Sequence, residues 1–169
     1  MSHIETAKKI WNQGAVEISA VDKNGDALKQ YDYVIAHDDT EWRIGCITYS
    51  LIDKGFVAHF EETWISFEDL NVVEKLNNVI AQEVLGWEKI ETQWGKDGKA
   101  FNDMSIEEFD AINYAGIILD KLNSEDQQVQ IKNEDGYCFV TANDDDVGYV
   151  DEKFGIAVCK AAINLTRNN

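Results

Sequence analysis

The chain is 169 residues long, 44% hydrophobic and 28% charged, with five Trp, seven Phe and six Tyr, a composition that builds cores and is unlike that of a disordered polypeptide. A formal charge of −17 repels phosphate backbones and anionic lipid, which argues against direct nucleic-acid binding through a basic groove and against a membrane surface as partner. No apolar run reaches the roughly 18 residues that span a bilayer, and MSHIETAKKIWNQG lacks the form of a signal peptide, so the expected location is the cytoplasm.

Ser2 and Glu5 have capping-box spacing ahead of AKKIWNQ, with Gly14 as a stop, and predict a short opening helix. VEISAV then alternates before the turn signal Asn24-Gly25-Asp26 and reads as a strand. From Tyr31 to Leu70 the segments YDYVIAHD, EWRIGCITYSLI, GFVAHFEE and TWISF are rich in β-branched and aromatic residues. Breaks fall at Asp38-Asp39, Asp53-Lys54-Gly55 and Glu61-Glu62. Short strands between tight turns predict a meander or a small barrel, and the spacing, with a closing WISFEDL strand, resembles an SH3-like barrel.

After Phe67 the apolar period lengthens. Val72, Val73, Leu76, Val79, Ile80, Val84 and Leu85 predict one face of a helix from about Asn71 to Gly86, with Glu74 placed for a capping box. A strand over Trp87 to Trp94 and a turn at Gly95 to Gly98 precede a second helix, capped by Ser105 and Glu108, whose apolar face carries Phe109, Ile112, Leu119 and Leu122. Small residues at Ala115 and Gly116 suit close packing. QVQIKN and YCFVTAN flank the turn Glu134-Asp135-Gly136 as a hairpin, Asn143 to Glu152 reads as an acidic loop, and a final helix covers about Glu152 to Thr166.

The expected fold class is therefore α+β. A β-rich part over residues 1–68 precedes, over residues 69–169, an α-β-α sandwich of antiparallel hairpins packed by helices. The order NNVIAQEVLGWEKI, then Trp94 with GKDGKAFND, then EEFDAINYAGIILDKL, VQIKNEDGYCFVTA and FGIAVCKAAINL resembles the phage ABA sandwich domain family across about residues 71–166. A Gly-Trp at the end of the first helix, a Lys-Leu pair ending the middle one and Cys159 in the last carry the resemblance; FNDMSIEEFD only approximates the family's entry into the middle helix. The resemblance implies a phage or prophage origin, and with it a host-cell cytoplasm. It brings no catalytic residues.

Chemistry-bearing motifs are few. Asn143-Asp144-Asp145-Asp146-Val147-Gly148 looks like the front of a calcium loop, but a Gly148 in the sixth place puts Val147 in the fifth and Phe154 in the twelfth, both wrong for calcium. His3, His37 and His59 lack zinc-site spacing, and the glycines form no phosphate loop. His37 beside Asp38 and Asp39 is an acid–base pairing outweighed by a surface ion pair. A nucleophilic pair needs His59 to meet Cys46 across neighbouring strands, where core packing is the commoner outcome. Trp42, Trp64, Trp87 and Trp94, without interleaved Lys or Arg, read as core. Cys46, Cys138 and Cys159 read as free thiols of a reducing compartment, with a Cys138–Cys159 disulfide as the alternative.

No catalytic residue, cofactor or metal is expected. Seven Lys and Arg against fourteen Asp and Glu lie up to Leu76, and eight against eighteen beyond it, so acidity is spread through the chain. Asp38, Asp39, Glu41, Glu61, Glu62, Asp144, Asp145, Asp146, Asp151 and Glu152 are the candidate interaction patches. The expected partner is a host protein with a basic nucleic-acid-binding surface, met as a DNA mimic, anti-defence or anti-CRISPR protein meets its target. The alternatives are charge for solubility alone and a module binding a small ligand or nucleotide signal. A homo-oligomer through the hairpin edge near Val129 is also open.

Overall fold

Four side chains fasten the first elements of the computed structural model, which describes residues 2–125, 127–143 and 148–168. Helix α1 (His3–Trp11) starts where Glu5 N–H donates to the Ser2 hydroxyl at 3.3 Å and Ser2 N–H donates to the Glu5 carboxylate at 2.7 Å. Strands β1 (Glu17–Val21) and β2 (Ala27–Lys29) form a hairpin around Asp22, which accepts from Asn24 and Asp26 N–H at 2.9 Å each. Gln30, fully buried, donates to the Ile10 and Gly14 carbonyls and so ties the end of α1 to this hairpin.

Strands β3 (Tyr33–His37), β4 (Trp42–Ser50), β5 (Gly55–His59), β6 (Trp64–Ile65) and β7 (Glu74–Lys75) make one antiparallel sheet in the order β6-β5-β4-β3-β7. It is a meander with two open edges and no closed barrel. The WISFEDL segment leaves the sheet after Ile65, because Ser66 and Asp69 bond to one another and start a 3₁₀ turn over Phe67–Val72. Leu28, Val34, Ile47, Ala58, Phe60 and Leu70 form the core on one face of this sheet. These residues belong to a compact unit, Met1–Leu76; the second is Asn77–Asn169.

The helix expected from Asn71 begins only at Leu76. Glu74 and Lys75 are taken into β7, paired to Ile35 and Val34. Lys75 N–H donates to Asp22 at 3.0 Å, and the buried Glu74 carboxylate accepts from Asn24 at 3.4 Å. Tertiary partners thus outbid the helical period there. Helix α2 (Leu76–Val79) widens into a π turn over Ile80–Val84, with Leu85 N–H donating to Ile80 five residues back, and stops at Gly86 with φ +67°.

In the second unit, β8 (Glu88–Ile90), β9 (Gln93–Lys96) and β10 (Lys99–Ser105) form a three-stranded sheet. Glu108 N–H donates to the Ser105 hydroxyl at 3.1 Å and that hydroxyl donates to the Glu108 carboxylate at 2.8 Å, yet α3 (Ala115–Ser124) starts ten residues later. Ala111 N–H is drawn away to the Asn77 side chain at 2.9 Å, and Asp110 caps a separate turn by accepting from Ile112 and Asn113. Strands β11 (Val129–Glu134), β12 (Tyr137–Ala142) and β13 (Tyr149–Asp151) form a second three-stranded sheet; β13 lies where only a loop was expected. Helix α4 (Phe154–Arg167) buries most of its circumference against α3, the π turn, β12 and β13. The close approach is at Gly155, where a Cβ would stand 2.2 Å from the Ile112 carbonyl, whereas Gly116 faces open space. The fold is mixed α+β.

Candidate functional site

Register places a row of chemistry-bearing side chains on the face of the five-stranded sheet opposite the Leu28–Ile47 core. Tyr33 pairs with Cys46, Cys46 with His59, and His59 with Trp64, and residues directly opposite in an antiparallel ladder project to the same side. Cys46 and His59 are therefore neighbours. The Cys46 thiol is aimed along its own strand, donating to the Ile47 carbonyl at 3.8 Å, and the row presents no third group that would orient a histidine base for a nucleophile.

Beside this row runs a groove of about 410 Å³, lined by Trp11, Tyr49, Ile52, Val57, His59 and Trp64 among others. Its walls are built by ordinary folding forces. The Trp11 indole N–H donates to the Tyr49 carbonyl at 3.1 Å, Tyr31 donates to the Trp11 carbonyl at 2.8 Å, and Tyr49 stands edge-on to Phe56. At one end, β4 stops at Ser50 and leaves Leu51 and Ile52 in the turn, where Ile52 is 83% exposed. At the other end Trp64 is 50% exposed on the edge strand β6. Asp53 lines the groove, its carboxylate accepting from the Ser50 hydroxyl at 2.6 Å, and no Lys or Arg lines it among the described residues.

Trp64 corrects the reading of the tryptophans as core. Trp94 is fully buried and packs with Trp87 around Phe109, but Trp64 faces outward. The groove was not foreseen from sequence. The usable signals were an apolar pair, Leu51-Ile52, running into a turn, and a Trp directly after Glu61-Glu62-Thr63.

The acidic candidates separate into groups. Asp38, Asp39 and Glu41 in the β3–β4 turn and Glu61 and Glu62 in the β5–β6 turn close the same end of the sheet. Asp38 is spent locally: its carboxylate accepts from the Thr40 hydroxyl at 2.7 Å and from Thr40 and Glu41 N–H at 3.0 Å, and pairs with Arg43. The Thr40 hydroxyl, then the two backbone N–H groups, with Arg43 adding least, hold it well below the usual carboxylate range. Glu41 lies 3.8 Å from the same guanidinium. Asp39, Glu61 and Glu62 are exposed. His37 accepts from Asp39 N–H at 3.2 Å and stacks edge-on with Trp42, an arrangement of the turn.

In the second unit Asp151 accepts from Lys153 N–H at 2.9 Å and lies 3.4 Å from Lys160, so it anchors the entry to α4, while Glu152 is exposed. Asp144, Asp145 and Asp146, and with them the calcium-like loop, lie outside the described residues. Among the described residues no group of three or more His, Cys, Asp or Glu is arranged to hold a metal ion. No disulfide joins Cys46, Cys138 and Cys159; burial pushes the Cys159 and Cys138 thiols up, with Asp110 and Asp151 respectively adding to it. No helix among the described residues is long and apolar enough to cross a membrane.

Residues 78–163, just over half of the chain, match the phage ABA sandwich domain. The chain belongs to that family. The matched segment runs from α2 through the two three-stranded sheets into α4, and the Phage ABA sandwich domain thus comprises nearly all of the second unit. Membership makes this a phage-associated protein. No curated protein and no solved structure matches the chain significantly. The groove lies in the first unit, outside the Phage ABA sandwich match.

Proposed function

We propose that this phage-associated protein is a non-enzymatic interaction protein of the host cytoplasm that occupies the basic, nucleic-acid-binding surface of a host protein. The observation that carries the reading is the end of the meander, where two hairpin turns bring Asp38, Asp39, Glu41, Glu61 and Glu62 together. A field of one sign at a fixed edge steers a partner of the other sign and repels nucleic acid from the same place. Net charge is −7 up to Leu76 and −10 beyond it, so both units are acidic. Asp53 in the groove, with no Lys or Arg lining it among the described residues, disfavours a nucleotide phosphate as its ligand, which ranks the signal-binding alternative second.

The test is capture of host proteins on the immobilised full chain at low and high salt, with host DNA as competitor. Recovery of a nucleic-acid-binding protein that is displaced by DNA, lost at high salt and lost from the Glu61→Lys/Glu62→Lys variant is expected. Capture that ignores salt and DNA overturns the mimicry.

A further inference from the structure

Among the described residues every sheet is open, and all but one of the edge strands are short or broken. Strands β6 and β7 are two residues long, and β2, β8 and β13 three. Strands β1 and β10 lose their regular register partway. Edges of these kinds offer little to an extended chain, which is how monomeric proteins keep further strands from adding. Strand β11 differs. It runs six residues in unbroken register with β12, has a sheet partner on that side alone, and holds Gln130 to Glu134 exposed.

The hairpin turn decides which backbone groups face outward. Asp135 and Gly136, with φ +52° and +87°, make a two-residue turn, so Glu134 and Tyr137 close it as a bonded pair. Bonded pairs alternate along an antiparallel ladder, which turns the N–H and C=O of Ile131 and Asn133 away from β12. Asn143 N–H, donating to the Gln128 carbonyl at 3.1 Å, keeps the same alternation at the far end. Ile131 shares a side of the sheet with its cross-strand partner Val140, which is fully buried where α4 packs on β12, yet Ile131 is 44% exposed.

We infer that this edge is a self-association surface: two copies pair β11 antiparallel about a two-fold axis at Ile131, joining two three-stranded sheets into one of six strands. Ile131 of one copy bonds Ile131 of the other. Val129 N–H is held by the Gln127 carbonyl at 3.0 Å, so Val129 offers its carbonyl to Asn133 N–H of the second copy. Val140 and Ile131 of both copies then form one apolar row across the joined sheets. On the opposite side Lys132, already paired with Glu134 at 2.6 Å, meets Gln130. An axis at Lys132 sets two lysines face to face, and one at Asn133 runs Ile131 against the turn residue Asp135, so the strand selects its own register. Two chains of charge −17 repel, and salt screens that repulsion while leaving backbone bonds and buried isoleucine intact. The dimer therefore tightens as salt rises, opposite in sign to the host capture above, and the two readings fail separately.

Sedimentation equilibrium of the full chain across the micromolar range tests the pairing. The expected result is a mass that rises from one chain toward two with concentration, more steeply at high salt. Ile131→Pro removes an outward N–H and no bond to β12, and Ile131→Lys sets like charges at the axis. Each is expected to return the chain to a monomer, with an unchanged urea midpoint confirming the fold; if the proline shifts that midpoint, the lysine variant decides alone. Under oxidation Ile131→Cys is expected to form a covalent dimer faster than Lys132→Cys, because bonded partners stand about 5.5 Å apart at Cα, within reach of a disulfide. A monomer at every concentration and salt, a dimer that a folded variant leaves intact, a dimer loosened by salt, or faster crosslinking through Lys132→Cys overturns the inference.

Discussion

Trp64 in the first unit and Trp94 in the second both sit in short strands, and the two units use them in opposite ways. Trp94 is sealed beneath Phe109, with Trp87 and Tyr114 packed around the same ring, so its indole works as filler. Trp64 ends a cross-strand row and leaves half of its surface in water. The family-matched unit closes this indole into its core while leaving Tyr137 and Phe154 each 44% exposed, and the sheet unit leaves its indole half in water. The half-exposed indole lies in the part of the chain that the family match does not cover.

Stability is the sharpest way to break that comparison. Trp94→Ala opens a cavity in a closed aromatic cluster and is expected to cost about 3–5 kcal/mol, whereas Trp64→Ala costs about 1 kcal/mol or less. Urea unfolding followed by circular dichroism measures both. Equal losses mean that Trp64 is core after all, and the groove is then a packing defect.

Within the second unit, two glycines make the same point at smaller scale. Gly155→Ala drives a methyl into the Ile112 backbone carbonyl and is expected to lose about 1–3 kcal/mol through displacement of α4. Gly116→Ala meets nothing within 4 Å, and is expected to gain up to about 1 kcal/mol from helix propensity. A neutral Gly155→Ala shows that α4 slides freely on the turn beneath it, contrary to the packing described.

Sequence spacing located strands and helices well where local signals acted without competition. Ser2-Glu5 and Ser105-Glu108 share the capping-box spelling, and in both the Glu N–H donates to the Ser hydroxyl, but the Glu carboxylate accepts from the backbone N–H of Ser2 and from the hydroxyl of Ser105; the first begins a helix and the second a single turn. The difference is Asn77, thirty-four residues from Ala111, which no local window contains. The helix from Asn71 was misread for the same reason: Asp22 and Asn24 hold Glu74 and Lys75 from more than fifty positions away or nearly so. β13 escaped notice because Tyr149-Val150-Asp151 is too short to alternate visibly beside a run of Asp. The acidic ends were legible as residues, but their gathering at one end depends on the meander's strand order, and the groove depends on which face each strand turns outward.

The C-terminal end of α4 supplies a smaller test. Arg167 donates to both Glu83 oxygens, at 2.7 and 2.5 Å, in a bidentate fork between the last turn of α4 and the π turn. Because the Glu83 side chain is 39% exposed, water and salt screen the pair, and Arg167→Ala is expected to cost no more than about 1 kcal/mol. Added salt should shrink the difference between wild type and variant. A larger, salt-insensitive loss would assign the role to the arginine's apolar stem.

The smallest effect belongs to the acidic turn of the sheet unit, and it bears on how much of the acidic edge is free for a partner. Asp38 has a folded-state carboxyl below its unfolded value, held there first by the Thr40 hydroxyl. Its stabilisation is therefore complete above the unfolded value of about 3.9 and is lost as pH falls through the folded one, so neutral and mildly acidic solutions leave it intact. Thr40→Ala removes the hydroxyl that contributes most, and the Asp38 titration followed by NMR should move up toward the ordinary range while the fold persists. If Asp38 does not move, the turn is held by Arg43 instead, and Asp38→Asn should then release that guanidinium, reducing the net negative charge of the edge that the basic partner meets.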